Sequence, residues 1–195
     1  MKGTVPLDSM EEFQLLTGAG CGLAIGRYPR FRYDARGGGG PAALGTPDRD
    51  GWQPLLFEPA TLRIPALTGR TTRFLGLPLP PGLAIAVHPE QLEGRWQPAS
   101  GAVELLFQCR FRFSVAGLYR APDLIVQTQL VTAQVHGRRH RAQGQPLDAL
   151  GQGLLVGVAM VEPTGEGWFD RFLGLPEEAL ALMRCRFCQA SLRAA

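Results

Sequence analysis

The chain has 195 residues, of which 45% are hydrophobic, and a formal net charge of +3. That length suits a single domain, residues 1–195, which can bury roughly 70% of its unfolded surface without staples. The charge is small and the arginines are scattered, which argues against a nucleic-acid surface. No run of about 18 apolar residues occurs that could form a transmembrane helix. The 25 Gly and 16 Pro suit many turns between strands. Among 20 basic residues Lys2 is the one lysine, a bias expected of a GC-rich genome. Cys21, Cys109, Cys185 and Cys188 suit a reducing compartment, and the acidic N-terminus lacks the apolar core of a signal peptide, so a cytoplasmic protein is expected.

In chain order, Asp8 or Ser9 caps an expected helix over Met10–Thr17, with Glu11 and Glu12 in its first turn and Gly18 as its stop. Gly22–Tyr33 reads as a strand and turn. Residues 36–50, with Gly37 to Gly40, read as a flexible loop. Leu55–Phe57, Thr61–Ala66 and Leu83–Val87 are short strand candidates punctuated by prolines, with His88 and Pro89 ending the last. From Val103 to Val115 an apolar residue occupies every second position, so one face of a strand is oily. At about 3.4 Å per residue it spans roughly 40 Å and must coil. Leu124–Val135 is a second long strand whose alternation slips near Val126–Gln129, suggesting a bulge. A turn at His136-Gly137 leads into a polar strand, Arg138–Gln145. Leu154–Val161 is a continuous apolar run and reads as central. Trp168, Phe169 and Phe172 are spaced as on a helix and would plug an open end. Pro176 is expected to start a further helix with Glu177 and Glu178 in its first turn, and Met183 onward alternates as a closing strand.

The hexapeptide Arg-Phe-Leu-Gly-Leu-Pro occurs twice, at Arg73–Pro78 and Arg171–Pro176, and reads as two apolar corners rather than a repeat fold. Thr71–Pro81, Gly153–Gly165 and Phe172–Leu180 resemble segments of uncharacterised proteins of cyanobacteria and plastids. The likeness covers roughly the C-terminal two thirds of the chain. It carries no site residues, and implies a photosynthetic cell.

Chemical motifs are sparse. Cys185-Arg-Phe-Cys188 has the Cys-x-x-Cys spacing, but lacks two further zinc ligands and lies where a strand would put the sulfurs on opposite faces. Gly18-Ala-Gly20-Cys-Gly22 follows a predicted helix rather than a strand, so it reads as a loop and not a phosphate cradle. Arg138, Arg139, His140 and Arg141, with His136, form the densest basic cluster. It could hold a phosphate, an acidic head group or an acidic protein surface, or simply guard a hairpin edge.

The fold expected is mainly β: an antiparallel barrel or strongly curved half-barrel of about 8–10 strands, with two or three short helices. Leu105, Phe107, Phe111 and Phe113 should face its interior and contact a ligand. The function expected is non-enzymatic binding of an apolar small molecule, a lipid or pigment, with no cofactor and no metal. The alternative is an assembly factor that meets an acidic protein surface through Arg138, Arg139, His140 and Arg141. A third is a lyase or isomerase on the same scaffold, for which His88 and Glu104 are the first residues to consider.

Overall fold

A computed structural model describes residues 12–189. Fifteen strands run β1 (Glu12–Thr17), β2 (Cys21–Ile25), β3 (Phe31–Tyr33), β4 (Gly39–Leu44), β5 (Gln53–Phe57), β6 (Thr72–Phe74), β7 (Leu77–Pro78), β8 (Leu83–Gln97), β9 (Ala102–Val115), β10 (Tyr119–Arg120), β11 (Leu124–Val131), β12 (Gln134–His136), β13 (Arg141–Gln143), β14 (Gln152–Val161) and β15 (Glu177–Gln189). One α-helix, α1 (Gly167–Leu173), lies before the last strand. All pairings are antiparallel.

The expected long strand is β9, and it forms a hairpin with β8 from Leu83↔Val115 to Gln97↔Ala102. Eight strands then close a ring of pairings in the order β1-β4-β5-β8-β9-β11-β14-β15 and back to β1. β1 and β2 both lie on the same edge of β15. Their registers differ by two residues, Thr17↔Cys185 against Gly22↔Leu182, and Gly18 to Gly20 make the kink. At the kink the Gly18 amide donates to the Arg184 carbonyl. Beyond it, β2 continues the sheet through β3, β6 and β7. That extension returns to β8 where Leu67 and Ile85 exchange backbone hydrogen bonds.

Several expectations are corrected. α1 is the one α-helix among the described residues, where two or three were expected. Glu12–Thr17 is a strand. Phe13 and Leu15 are buried and Leu16 is exposed, so period-two burial in the ring outweighs the helical signals; Asp8, Ser9 and Met10 lie outside the described residues. Glu177 and Glu178 begin β15 rather than a helix. Within residues 36–50, Gly39–Leu44 is a strand paired on both edges. Gly39 is a steric necessity: a Cβ there would sit 1.9 Å from the Leu15 carbonyl oxygen, and its φ is +119°.

Thr61–Ala66 is not a strand; a 3-10 turn, Pro59–Thr61, precedes an isolated bridge at Arg63. β8 does not end at His88-Pro89. Pro89 sits at a bulge with Glu90 as the extra residue, which absorbs the missing N–H and lets the strand run on. Conversely, β11 carries no bulge, since Leu124↔Phe111 to Val131↔Glu104 is an unbroken register. Thr128 is buried as an inward residue, so the apparent slip came from counting it as polar. Leu124–Val135 is two strands, divided at Thr132, whose hydroxyl accepts from the Val103 amide.

Because the Gly39 cradle has no room for a side chain, Gly39→Ala is expected to destabilise the chain by about 3 kcal/mol or prevent folding. Urea unfolding of the variant beside the parent checks this, with an unchanged midpoint as the contrary result.

Candidate functional site

The ring's interior differs between its two ends. At the end holding Gln97, Ala102 and Phe187, the side chains form the larger buried cluster. Phe13, Leu55, Val103, Leu105, Leu155 and Phe187 are among the buried residues there, and Trp96 stacks on Phe13 with centroids 4.8 Å apart. At the opposite end lies a cavity of about 500 Å³. A smaller void of about 100 Å³ shares Leu23, Phe107 and Phe111 with it.

The cavity follows from the sequence of two facing walls. On one side β9 points Phe107, Phe111 and Phe113 inward. On the other, β14 and β15 present a tile of four small residues, the cross-strand pairs Gly157↔Ala181 and Ala159↔Ala179. Aromatic rings on one wall meet almost no side chain on the other, so the space between stays open. Gly157 is fixed as glycine because a Cβ would lie 2.6 Å from the Thr128 hydroxyl oxygen. The Phe rings are only half-buried because they border this space.

The wall contains no carboxylate, imidazole or guanidinium. Of its polar side chains, Tyr119 and Trp168 are exposed at the mouth, and two others are bonded to backbone carbonyls. Thr128 donates its hydroxyl to the Val158 carbonyl at 3.1 Å, and Tyr28 donates to the Phe172 carbonyl. Burial pushes the Cys109 thiol up to about 12, so it stays protonated at neutral pH.

α1 covers part of the opening. Phe169 and Leu173 are buried under it, while Trp168 and Phe172 remain exposed at the mouth. Phe169 meets Phe113 edge-on at 5.1 Å, and Trp168 meets Tyr119 edge-on at 5.6 Å. The hydrogen bond and ring contact between Tyr28 and Phe172 fasten the β2–β3 turn to this helix. Both copies of the repeated hexapeptide lie here. Phe74 and Phe172 both line the cavity, each followed by a glycine at positive φ, Gly76 and Gly174.

Of the residues expected inside, Phe107, Phe111 and Phe113 line the cavity, whereas Leu105 is fully buried in the packed end. The residues sequence reasoning missed are the small ones and those of the β2–β3 and β6–β7 hairpins. Gly and Ala carry no hydrophobic periodicity strong enough to mark a wall.

The basic cluster forms the tip of the β12–β13 hairpin, and it already holds an anion. The backbone amides of Arg138, Arg139 and His140 donate to the Glu178 carboxylate at 2.7, 3.1 and 2.6 Å. Glu178 is buried, which pushes its carboxyl up, but the three amides outweigh that and hold it below the usual carboxylate range. Gly137 makes the approach feasible, since a Cβ there would lie 2.4 Å from the carboxylate. Arg139 also pairs with Glu177 at 3.0 Å, while the side chains of Arg138 and Arg141 are exposed and lack an ion pair among the described residues.

His88 is exposed on the outer face of β8, and Glu104 pairs with Arg95 at 2.7 Å on the outside of β9, so neither meets the cavity. Outward charges on these strands pair with one another. Arg112 holds Asp123 through two 3.1 Å bonds, and Glu90, projected by the bulge, meets Arg110. Cys185 is buried and raised to about 12, and Cys188 lies on the opposite face. No cluster of three His, Cys, Asp or Glu suited to a metal ion occurs among the described residues, and no helix among them is long and apolar enough to cross a membrane. No family model, curated protein or solved structure matches the chain.

Two outcomes follow. Glu178 has a depressed folded pKa, so its contribution is present above the pKa of an unfolded glutamate and lost as pH falls through the lower, folded one. Glu178→Gln should cost about 2 kcal/mol at neutral pH and flatten this acid-limb loss, which urea titrations across that range would register. Among the thiols, burial raises those of Cys21, Cys109 and Cys185. A maleimide should therefore label native protein rapidly at Cys188 and at all four cysteines only after unfolding; fast native labelling of Cys109 would contradict the closed wall.

Proposed function

We propose that the ring is a β-barrel whose hollow end holds one apolar small molecule, a lipid or a pigment, without catalysing a reaction on it. The observation that carries this reading is the pairing of a Phe-lined wall with a Gly/Ala tile around about 500 Å³. That volume lies within the usual range for ligand pockets, about 300–1,000 Å³. An apolar cavity of about 150 Å³ takes a benzene-sized guest, so this one suits a molecule roughly three times as bulky. A wall without acid, base or cation favours retention over chemistry and leaves a ligand's polar group nowhere to go but the mouth. The resemblance of Thr71–Pro81, Gly153–Gly165 and Phe172–Leu180 to proteins of cyanobacteria and plastids points to a photosynthetic cell as the setting.

Native mass spectrometry of the protein isolated from its own host should show a second mass released on unfolding. Bare chain, combined with no uptake of a fluorescent fatty-acid analogue, would reject the reading. Ala159→Leu with Ala181→Leu should fill the tile, weakening uptake of that probe about tenfold or more while leaving the unfolding midpoint unlowered. Tyr28→Phe removes the bond to the Phe172 carbonyl and should speed probe release more than it changes probe capture.

A further inference from the structure

We infer that the rim of the cavity is a docking surface for an anionic lipid bilayer. This inference concerns the outside of the mouth and stands whether or not the cavity is filled.

Twelve large apolar side chains are exposed among the described residues, and seven of them surround the mouth. Val115, Tyr119, Trp168 and Phe172 also face the cavity and so have a second role. Leu75, Leu77 and Leu118 have none. They are 70%, 69% and 94% exposed and do not line the cavity. Each therefore leaves a large apolar surface in water with nothing in the chain to cover it.

Their placement adds to the argument. Leu75 is at the tip of the β6–β7 hairpin with φ 53°, followed by Gly76 at 84°. The β9–β10 hairpin turns through Ala116 at 51° and Gly117 at 71°, and presents Leu118 just beyond. Two-residue turns of this hand usually carry Asn or Gly at the first position. A leucine there is unfavourable both for its backbone and for its hydration. Projecting tips also suit insertion between head groups better than they suit a flat protein face. Beside them, Trp168 and Tyr119 supply the ring types that concentrate at membrane–water interfaces.

The charge around the tips selects the kind of surface. Arg27 and Arg30 lie in the β2–β3 turn, Arg70 just before β6, and Arg171 on α1. All four are exposed and without an ion pair among the described residues. Of the acids nearby, Glu177 is paired with Arg139 and Asp123 with Arg112, while Asp170, which accepts from the neutral Thr164 and Gly165, keeps its charge. Glu162 and Glu166 remain exposed. Each cation held near an anionic leaflet adds to the attraction. A second copy of the chain would bring the same guanidiniums face to face, so the balance favours lipid over self-association.

The test uses the full chain and phosphatidylcholine vesicles with and without phosphatidylglycerol. Co-sedimentation with the phosphatidylglycerol vesicles is expected, weakened by added salt. Leu75→Asp with Leu118→Asp should reduce binding about tenfold or more, and so should Arg27→Glu with Arg171→Glu. Leu56→Asp with Leu150→Asp, which alters exposed leucines away from the mouth, should bind as the parent does. All variants should keep the parent's circular dichroism and its uptake of the fatty-acid probe, which separates a failed rim from a failed cavity. Absence of vesicle binding, an equal loss in the distant pair, or rim-dependent dimerisation in sedimentation velocity would each overturn the inference.

Discussion

Everything in this molecule depends on β15 being paired along both of its edges. β14 takes one edge over ten residue pairs, Gln152↔Arg186 to Val161↔Glu177. The other edge is divided between β1 and β2. A strand with a free edge would leave its amides and carbonyls to water or to another chain. Here the edge is closed by one segment, Glu12–Ile25, kinked at Gly18 to Gly20 so that its two halves diverge. The first half leads to β4 and closes the eight-strand ring; the second leads to β3 and covers the far end. The kink therefore separates two interiors that share the same long strands.

Those interiors are filled differently because of local side-chain volume. At the β1 end, inward positions of β15 carry Cys185 and Phe187, which meet Phe13 and Leu15. At the β2 end, the inward positions of the same strand carry Ala179 and Ala181, opposite Ala159 and Gly157. β14 and β15 stay in one register across the two halves. Along one face of β15, Phe187 and Cys185 at one end give way to Ala181 and Ala179 at the other, which leaves the far end less filled. Covering the opening then falls to α1 and to the Tyr28–Phe172 contact, short elements that can yield without disturbing the ring.

Much of the architecture was legible because period-two patterns survive in β9, in β11 and in the Met183–Cys188 segment of β15. The plug of Trp168, Phe169 and Phe172 was also readable from its helical spacing. What failed has identifiable causes. Gly39–Leu44 has too few side chains to show a pattern, and its role is fixed by a clearance of 1.9 Å to the Leu15 carbonyl, a purely tertiary quantity. Pro89 looked like a strand end because a bulge cannot be seen without the partner strand. The hairpin's tie to Glu178 was equally unreadable, since the amides of Arg138, Arg139 and His140 meet a carboxylate 38 to 40 residues further along the chain. Cavity walls are least legible of all, since Gly157, Ala159, Ala179 and Ala181 matter for what they lack.

The size of the cavity bears on the proposal that it holds a ligand. Removing buried volume costs about 24 cal/mol per Å³ where the site cannot collapse. A void of about 500 Å³ would on that scale forgo of order 10 kcal/mol, comparable with the whole stability of an ordinary domain. Opening toward solvent through the mouth reduces the loss but exposes Phe111, Phe113 and Trp168 to water. Collapse of the walls is opposed, because β8 with β9 and β14 with β15 run on from the packed end as continuous pairings. On the proposed reading, a molecule of matching shape would recover the dispersion that the two walls leave unmade across the gap.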